Sequence, residues 1–220
     1  MLTVAMDAAL SIGSVAVLDG TRVLAERETA MRDAHSERLL PAVVGALTDA
    51  GTALDAVGRI VCGGGPGSFT SLRIAASIAK GLAVGRQIEM FAVPSLLLTV
   101  VGCASARNGG RYLSVLDAMR GESFAACYEL LPNEDVEEIE PPAVTATNEL
   151  GDLAARLNAR TIGPGMEIDA RPRAAGVAHL WSWLERAGPI DVAAWEPMYG
   201  RLAEAQVKWE AAHGRSLGAR

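Results

Sequence analysis

The segment Gly63-Gly64-Gly65-Pro66-Gly67-Ser68-Phe69-Thr70 is where this sequence comes nearest to a phosphate-binding element. Glycines let a backbone turn tightly and approach an anion. Ser68 or Thr70 is placed to cap the helix that follows, whose N-terminal amides and dipole favour negative charge. A nucleotide site using Gly65, Gly67, Ser68 and Thr70 is one reading. The other is a strand-to-helix turn that needs glycine for its conformation and binds nothing. The segment is not a Walker A loop, because no Gly-Lys-Ser/Thr follows and the first lysine after it, Lys80, falls well inside the helix. It also misses the dinucleotide-binding pattern, with Thr70 where the third glycine should stand.

Asp7 and Asp117 each end an apolar run, as paired carboxylates that hold a metal or position a phosphate do, and as ordinary turn residues also do. Asp7-Ala8-Ala9 has no hydroxyl or glycine beside the acid, which favours the turn reading there. His35, His179 and His213 have no i, i+4 spacing for a metal, and no metal ligand set is expected. Ser68 does not fit a nucleophile elbow, so proteolysis has no residues to support it. Cys62, Cys103 and Cys127 are far apart and odd in number, and are expected to be buried or half-buried thiols. Net charge is −6, with no basic stretch interleaved with aromatics, so direct nucleic-acid binding is disfavoured.

The elements that must position these residues follow from pattern. Half the residues are hydrophobic, enough for a packed core. The N-terminus does not read as a signal peptide, and no apolar run reaches membrane-spanning length, so a cytoplasmic protein without membrane contact is expected. Leu2 to Asp7, Ser14 to Leu18 and Thr21 to Glu28 read as a three-strand meander, with Asp19-Gly20 suited to a type I′ hairpin. Helical spacing runs from His35 to Ala50, starting near Ser36 so that Pro41 falls in the first turn, with Gly51 as the stop. Arg59 to Cys62 is a strand, Thr70 to Gly85 a helix, Met90 to Val93 a strand, and Pro94-Ser95 opens another helix. Ala104 to Arg111 is the expected linker, dividing the chain into domains 1–103 and 104–220.

After the linker the pattern begins again. Tyr112 to Asp117 echoes Leu2 to Asp7, followed by a strand from Ser123 to Leu131, and Arg160 to Gly165 echoes Ile60 to Gly67. Two echoes in the same order point to an internal duplication. The expected class is α/β, two ribonuclease-H-like domains facing a cleft in an actin-like plan. Ala174 to Gly188 and Leu202 to His213 read as closing helices.

The first two helices carry apolar residues on more than one face. Leu39, Val43 and Ala46 form one stripe, and Leu40, Val44 and Leu47 another. In the second helix Ala75, Ala76 and Ala79 permit close approach, with Leu72 and Leu82 supplying bulk. The surplus is read either as a subunit interface or as helices sandwiched inside the chain.

His35-Ser36-Glu37-Arg38-Leu39-Leu40-Pro41, Gly65-Pro66-Gly67-Ser68-Phe69-Thr70-Ser71-Leu72-Arg73-Ile74, Leu116-Asp117-Ala118-Met119-Arg120-Gly121-Glu122 and Glu196-Pro197-Met198-Tyr199 with Arg201 resemble, in order, the motifs of the TsaB (YeaZ) family. The resemblance implies an actin-like (ASKHA) fold without catalysis of its own. It implies a partner subunit for tRNA threonylcarbamoyladenosine modification, paired with the catalytic paralogue TsaD and the ATPase TsaE, meeting tRNA only through the complex. It also implies self-association through the first two helices, so that His35, Leu39, Leu40, Val43, Val44, Leu47, Leu72, Ala75, Ala76, Ala79 and Leu82 are the expected interface. No cofactor is expected to be held tightly by this chain, ATP and Mg belonging to the partner or the complex interface. Ala8, Ser71 and Met119 depart from the family pattern and weigh against nucleotide binding here. The competing reading is an active small-molecule kinase or ATPase using Asp7, Asp117 and the Gly65 to Thr70 loop.

Overall fold

The computed structural model describes residues 1–31, 37–106, 108–132 and 135–200. Strands β1 (Leu2–Asp7), β2 (Ile12–Asp19) and β3 (Arg22–Ala30) form the expected antiparallel meander. β1 and β2 are buried almost throughout, as apolar runs without alternation require, because both faces of the sheet are covered. The hairpin differs by one residue from expectation. Asp19 pairs with Arg22, so Gly20 and Thr21 occupy the turn, and only Gly20 has positive φ (+56°), the sign pattern of a II′ rather than a I′ turn.

Helix α1 (Leu39–Asp49) crosses to β4 (Val57–Gly63), and α2 (Phe69–Arg86) crosses to β5 (Glu89–Val93); both strands run parallel in the order β3-β2-β1-β4-β5. α1 begins at Leu39, later than expected, and the Glu37 carboxylate accepts the amides of Leu39 and Leu40. Ser36 and His35 lie outside the described residues. Gly51 ends the helix with φ +65° and sends the chain back so that the Thr52 amide reaches Leu47 O at 3.0 Å. α2 runs past Gly85 and ends at Gln87, which takes φ +54°. The Ile88 amide then reaches Ala83 O at 2.9 Å and the Ile88 side chain packs on the core, a gain that Gly85 as terminus would forgo.

α3 (Ser95–Val101) has all seven residues buried between the first sheet and a second. The second sheet contains β6 (Gly110–Asp117), β7 (Glu122–Leu130), β8 (Val136–Ala146), β9 (Arg160–Gly163) and β10 (Ile168–Asp169), with α4 (Leu150–Leu157) crossing from β8 to β9. Its order β8-β7-β6-β9-β10 repeats β3-β2-β1-β4-β5 strand for strand, including the antiparallel and parallel pairings. The duplication read from two echoes therefore extends through the whole topology. β8 and α4 were not foreseen, because Pro141-Pro142 and the acidic residues around them argue against a strand; β8 is an edge strand, where proline is tolerated.

The expected helix from Ala174 to Gly188 is split into a 3-10 turn (Ala174–His179) and α5 (Trp181–Ala187). Gly176 packs so tightly on Gly102 that a Cβ there would lie 2.8 Å from the Gly102 nitrogen. The chain then returns to the first sheet: the Ile190 amide donates to Met90 O and the Met198 amide to Gly64 O, both at 2.8 Å. One apolar cluster joins Ala5, Leu97, Leu116 and Val177, so the core is continuous across residues 103 and 104. Among the described residues no helix is long and apolar enough to cross a membrane. The expected helix from Leu202 to His213 lies outside the described residues.

Candidate functional site

Asp7, Gly63 and Val93 end the parallel strands β1, β4 and β5, the edge where open α/β sheets place their ligands. Asp7 has the predicted position at the end of β1. Its carboxylate is buried. Oδ1 accepts the Ala9 amide at 2.9 Å, and the Ser95 hydroxyl donates to Oδ2 at 2.5 Å. Burial is the largest influence and pushes the Asp7 pKa above its usual range, against the lowering effect of those two hydrogen bonds. Asp7 occupies the space that a side chain at position 63 would need, so only glycine fits there.

The glycine-rich loop closes over this carboxylate and uses its own donors in doing so. The Gly64 amide donates to Val93 O at 2.7 Å, the Gly65 amide to Ser95 Oγ at 3.0 Å, and the Ser68 amide to Ala9 O at 2.7 Å. Gly65 has φ +81°, and a Cβ there would run into the Met198 carbonyl; one on Gly67 would run into the backbone of Ala9. Gly65 and Gly67 are thus required for contact with the chain itself. Ser68 stands at the N-cap of α2 without a side-chain cap bond, its hydroxyl lying 3.0 Å from Ser71 Oγ, and Thr70 is exposed inside the first turn. Neither caps the helix as expected.

Asp117 is exposed at the end of β6, where Oδ1 accepts the Met119 amide at 2.7 Å. Met119, Arg120 and Gly121 follow with φ of +66°, +59° and +78°, a left-handed turn. Asp7 and Asp117 therefore end equivalent strands in unlike settings, one enclosed and one open.

The helix residues divide sharply. Leu39, Val43, Leu47, Leu72, Ala75, Ala76 and Ala79 are buried, and Leu82 is half-buried. All eight were expected at a subunit contact; within the described chain Leu39, Val43, Leu47, Ala75, Ala79 and Leu82 pack with Val4, Met6 and Val17 of the first sheet, while Leu72 joins the cluster of Ala5, Ala16 and Val61. Leu40 and Val44 remain outside, 42% and 57% exposed. Glu37, Phe69, Thr70, Arg73, Ile74, Ser77 and Ile78 line an open groove. The Phe69 ring packs on Tyr199 with centroids 4.6 Å apart. His35 lies outside the described residues.

The sequence reading missed Ser95, which ties Asp7 to Gly65, and it named Met198 and Tyr199 only within a motif, without their contacts to the loop and to α2. A small hydroxyl directly after Pro94 is the one local sign of Ser95. Its partners are distant in sequence.

Comparison with known proteins adds a family. The sequence model described as "TsaD: tRNA N6-adenosine threonylcarbamoyltransferase" matches residues 22–172. A Bacillus subtilis strain 168 protein named "tRNA threonylcarbamoyladenosine biosynthesis protein TsaB" is 29% identical, over 95% of this chain and 98% of its own length. The protein of the same name from Escherichia coli strain K12 is 37% identical over 59% of this chain; the match spans 55% of that relative. An uncharacterized Mycobacterium bovis protein is 31% identical over 84% of this chain and 83% of its own. Among solved structures, one titled "YeaZ from Pseudomonas aeruginosa" superposes with a TM-score of 0.74 at 27% identity, over 90% of this chain and 99% of that one.

Proposed function

The chain belongs to the TsaB (YeaZ) family, and from that membership we propose that it is a non-catalytic partner subunit in tRNA threonylcarbamoyladenosine biosynthesis, binding and activating a TsaD-type catalytic paralogue. The observation that carries this reading is the enclosure of Asp7. A carboxylate held by Ser95 and Ala9, beneath a loop whose amides of Gly64, Gly65 and Ser68 already have acceptors, has little left to offer a Mg-nucleotide. Chemistry then rests with the partner, and so do ATP and Mg.

A partner subunit needs a surface. Leu40 and Val44, with the groove along α2 from Phe69 to Ile78, are apolar and exposed on the described chain. We assign to this face both the contact with the TsaD-type paralogue and self-association into a homodimer, and to the resulting complex the TsaE-type ATPase and tRNA. The acidic balance of the chain, −6, supports indirect rather than direct contact with RNA.

Size-exclusion chromatography with the purified TsaD-type paralogue tests the reading. The unaltered chain is expected to co-elute with it. Leu40→Glu and Val44→Glu are expected to elute apart while keeping the far-UV spectrum and melting temperature of the folded chain. Failure of the unaltered chain to bind would sink the partner role. Continued binding by both variants would sink the surface alone.

A further inference from the structure

An open cavity of about 740 Å³ lies where β3 of the first sheet meets the end of β10 of the second, and it includes Leu10, Ile12, Cys103, Pro164 and Asp169 in its lining. Part of its wall is formed by Ala170, Arg171 and Arg173, in the stretch 170–174 that follows β10 and meets the first sheet. Two arginines of this stretch reach across. Arg171 donates to Glu28 through Nε (3.1 Å) and Nη2 (2.6 Å), and Arg173 donates to Glu26 through Nε (3.0 Å) and Nη2. Both pairs are two-pronged, the geometry in which a guanidinium and a carboxylate fix each other's orientation as well as their distance.

The spacing of the pairs is not arbitrary. Glu26 and Glu28 are two apart on β3, so their side chains leave the same face of the strand. They meet Arg171 and Arg173, also two apart. The backbone between is held independently: the Ala174 amide donates to Ser14 Oγ at 2.9 Å, and that hydroxyl lies 3.5 Å from Pro172 O. Glu28 and Glu26 sit opposite Ser14 and Ala16 in the β2–β3 ladder, so every one of these contacts falls on one side of the sheet.

We infer that the Arg171–Glu28 and Arg173–Glu26 pairs are a clamp that holds the two sheets at a fixed angle and keeps the cavity between their edges from widening. Here the return stretch is fastened to β3 at two points, so the chain presents itself to any partner as one rigid body. The clamp does not depend on the identity of a partner, and its test needs none.

Hydrogen exchange on the isolated chain reads the clamp directly. The double variant Glu26→Gln with Glu28→Gln is expected to speed amide exchange in residues 170–176 about fivefold, the scale of two partly exposed pairs acting together, while amides of β1 and α2 keep their rates. The charge-swapped combination of Glu28→Arg with Arg171→Glu is expected to exchange more slowly than Glu28→Arg alone. Cys103 supplies a second readout, because Cys62 and Cys127 are buried and it lines the cavity. Removing both arginines, with Arg171→Gln and Arg173→Gln, breaks both pairs without altering Cys103, and a cavity that stays closed leaves its labelling by a maleimide unchanged. Opening of the cavity predicts faster labelling instead. Unchanged exchange at 170–176, or labelling that is slower or unchanged, would overturn the clamp.

Discussion

Asp7 and Asp117 occupy matching places in the two repeats, and their surroundings give them different physics. Asp7 is enclosed, and burial raises its pKa from the usual value near 3.8. In the pH window from about 3.8 up to that raised value the folded chain holds a proton that the unfolded chain has lost, so stability falls as pH rises through the window. Asp7→Asn removes this titration. The variant is therefore expected to gain stability relative to the unaltered chain as pH rises from about 3.8 through that window, by at most about 1.4 kcal/mol per pH unit. Urea unfolding of both proteins across that range checks it; a difference that does not vary with pH would contradict the enclosure. The sequence placed both acids at strand ends correctly. It could not say which is enclosed, because that depends on Ser95, 88 residues away, and on the missing side chain of Gly63.

At the scale of elements, α1 shows how burial selects among apolar positions. Its inward face is set by the sheet beneath it, and at about 100° per residue Leu47 falls roughly 40° from Val43 but roughly 60° from Val44. Leu47 accordingly joins the buried stripe, and Leu40 and Val44 are left outside. Leu39→Ala should cost about 2–5 kcal/mol through the cavity it leaves, whereas Val44→Ala should change stability by less than about 0.5 kcal/mol. Equilibrium unfolding separates them, and equal costs would mean that the helix is seated differently. Periodicity gave the helix and both stripes. It did not reveal that one stripe would be divided, since that follows from the angle at which α1 meets the sheet. The strand β8 was hidden for a related reason: its prolines are admissible only because it has a neighbour on one side, a property of topology and not of its own sequence.

The whole molecule repeats one five-stranded plan twice and then departs from it. In the first repeat a returning chain, from Ile190 to Tyr199, closes the edge of β5 and seals the glycine-rich loop through the Met198 bond to Gly64. That departure was only partly legible: the two echoes announced the duplication, but nothing in residues 190–199 announced where they would lie. An inward-turned site and an outward apolar helix face together make the case for a subunit that supports another protein's chemistry. The measurement that tests this most directly is threonylcarbamoyladenosine formation on tRNA by purified cognate partner proteins, run with this chain, without it, and with this chain alone. The account predicts product only when the chain and its partners are combined. Undiminished product when the chain is omitted, or product formed by the chain alone, would contradict it.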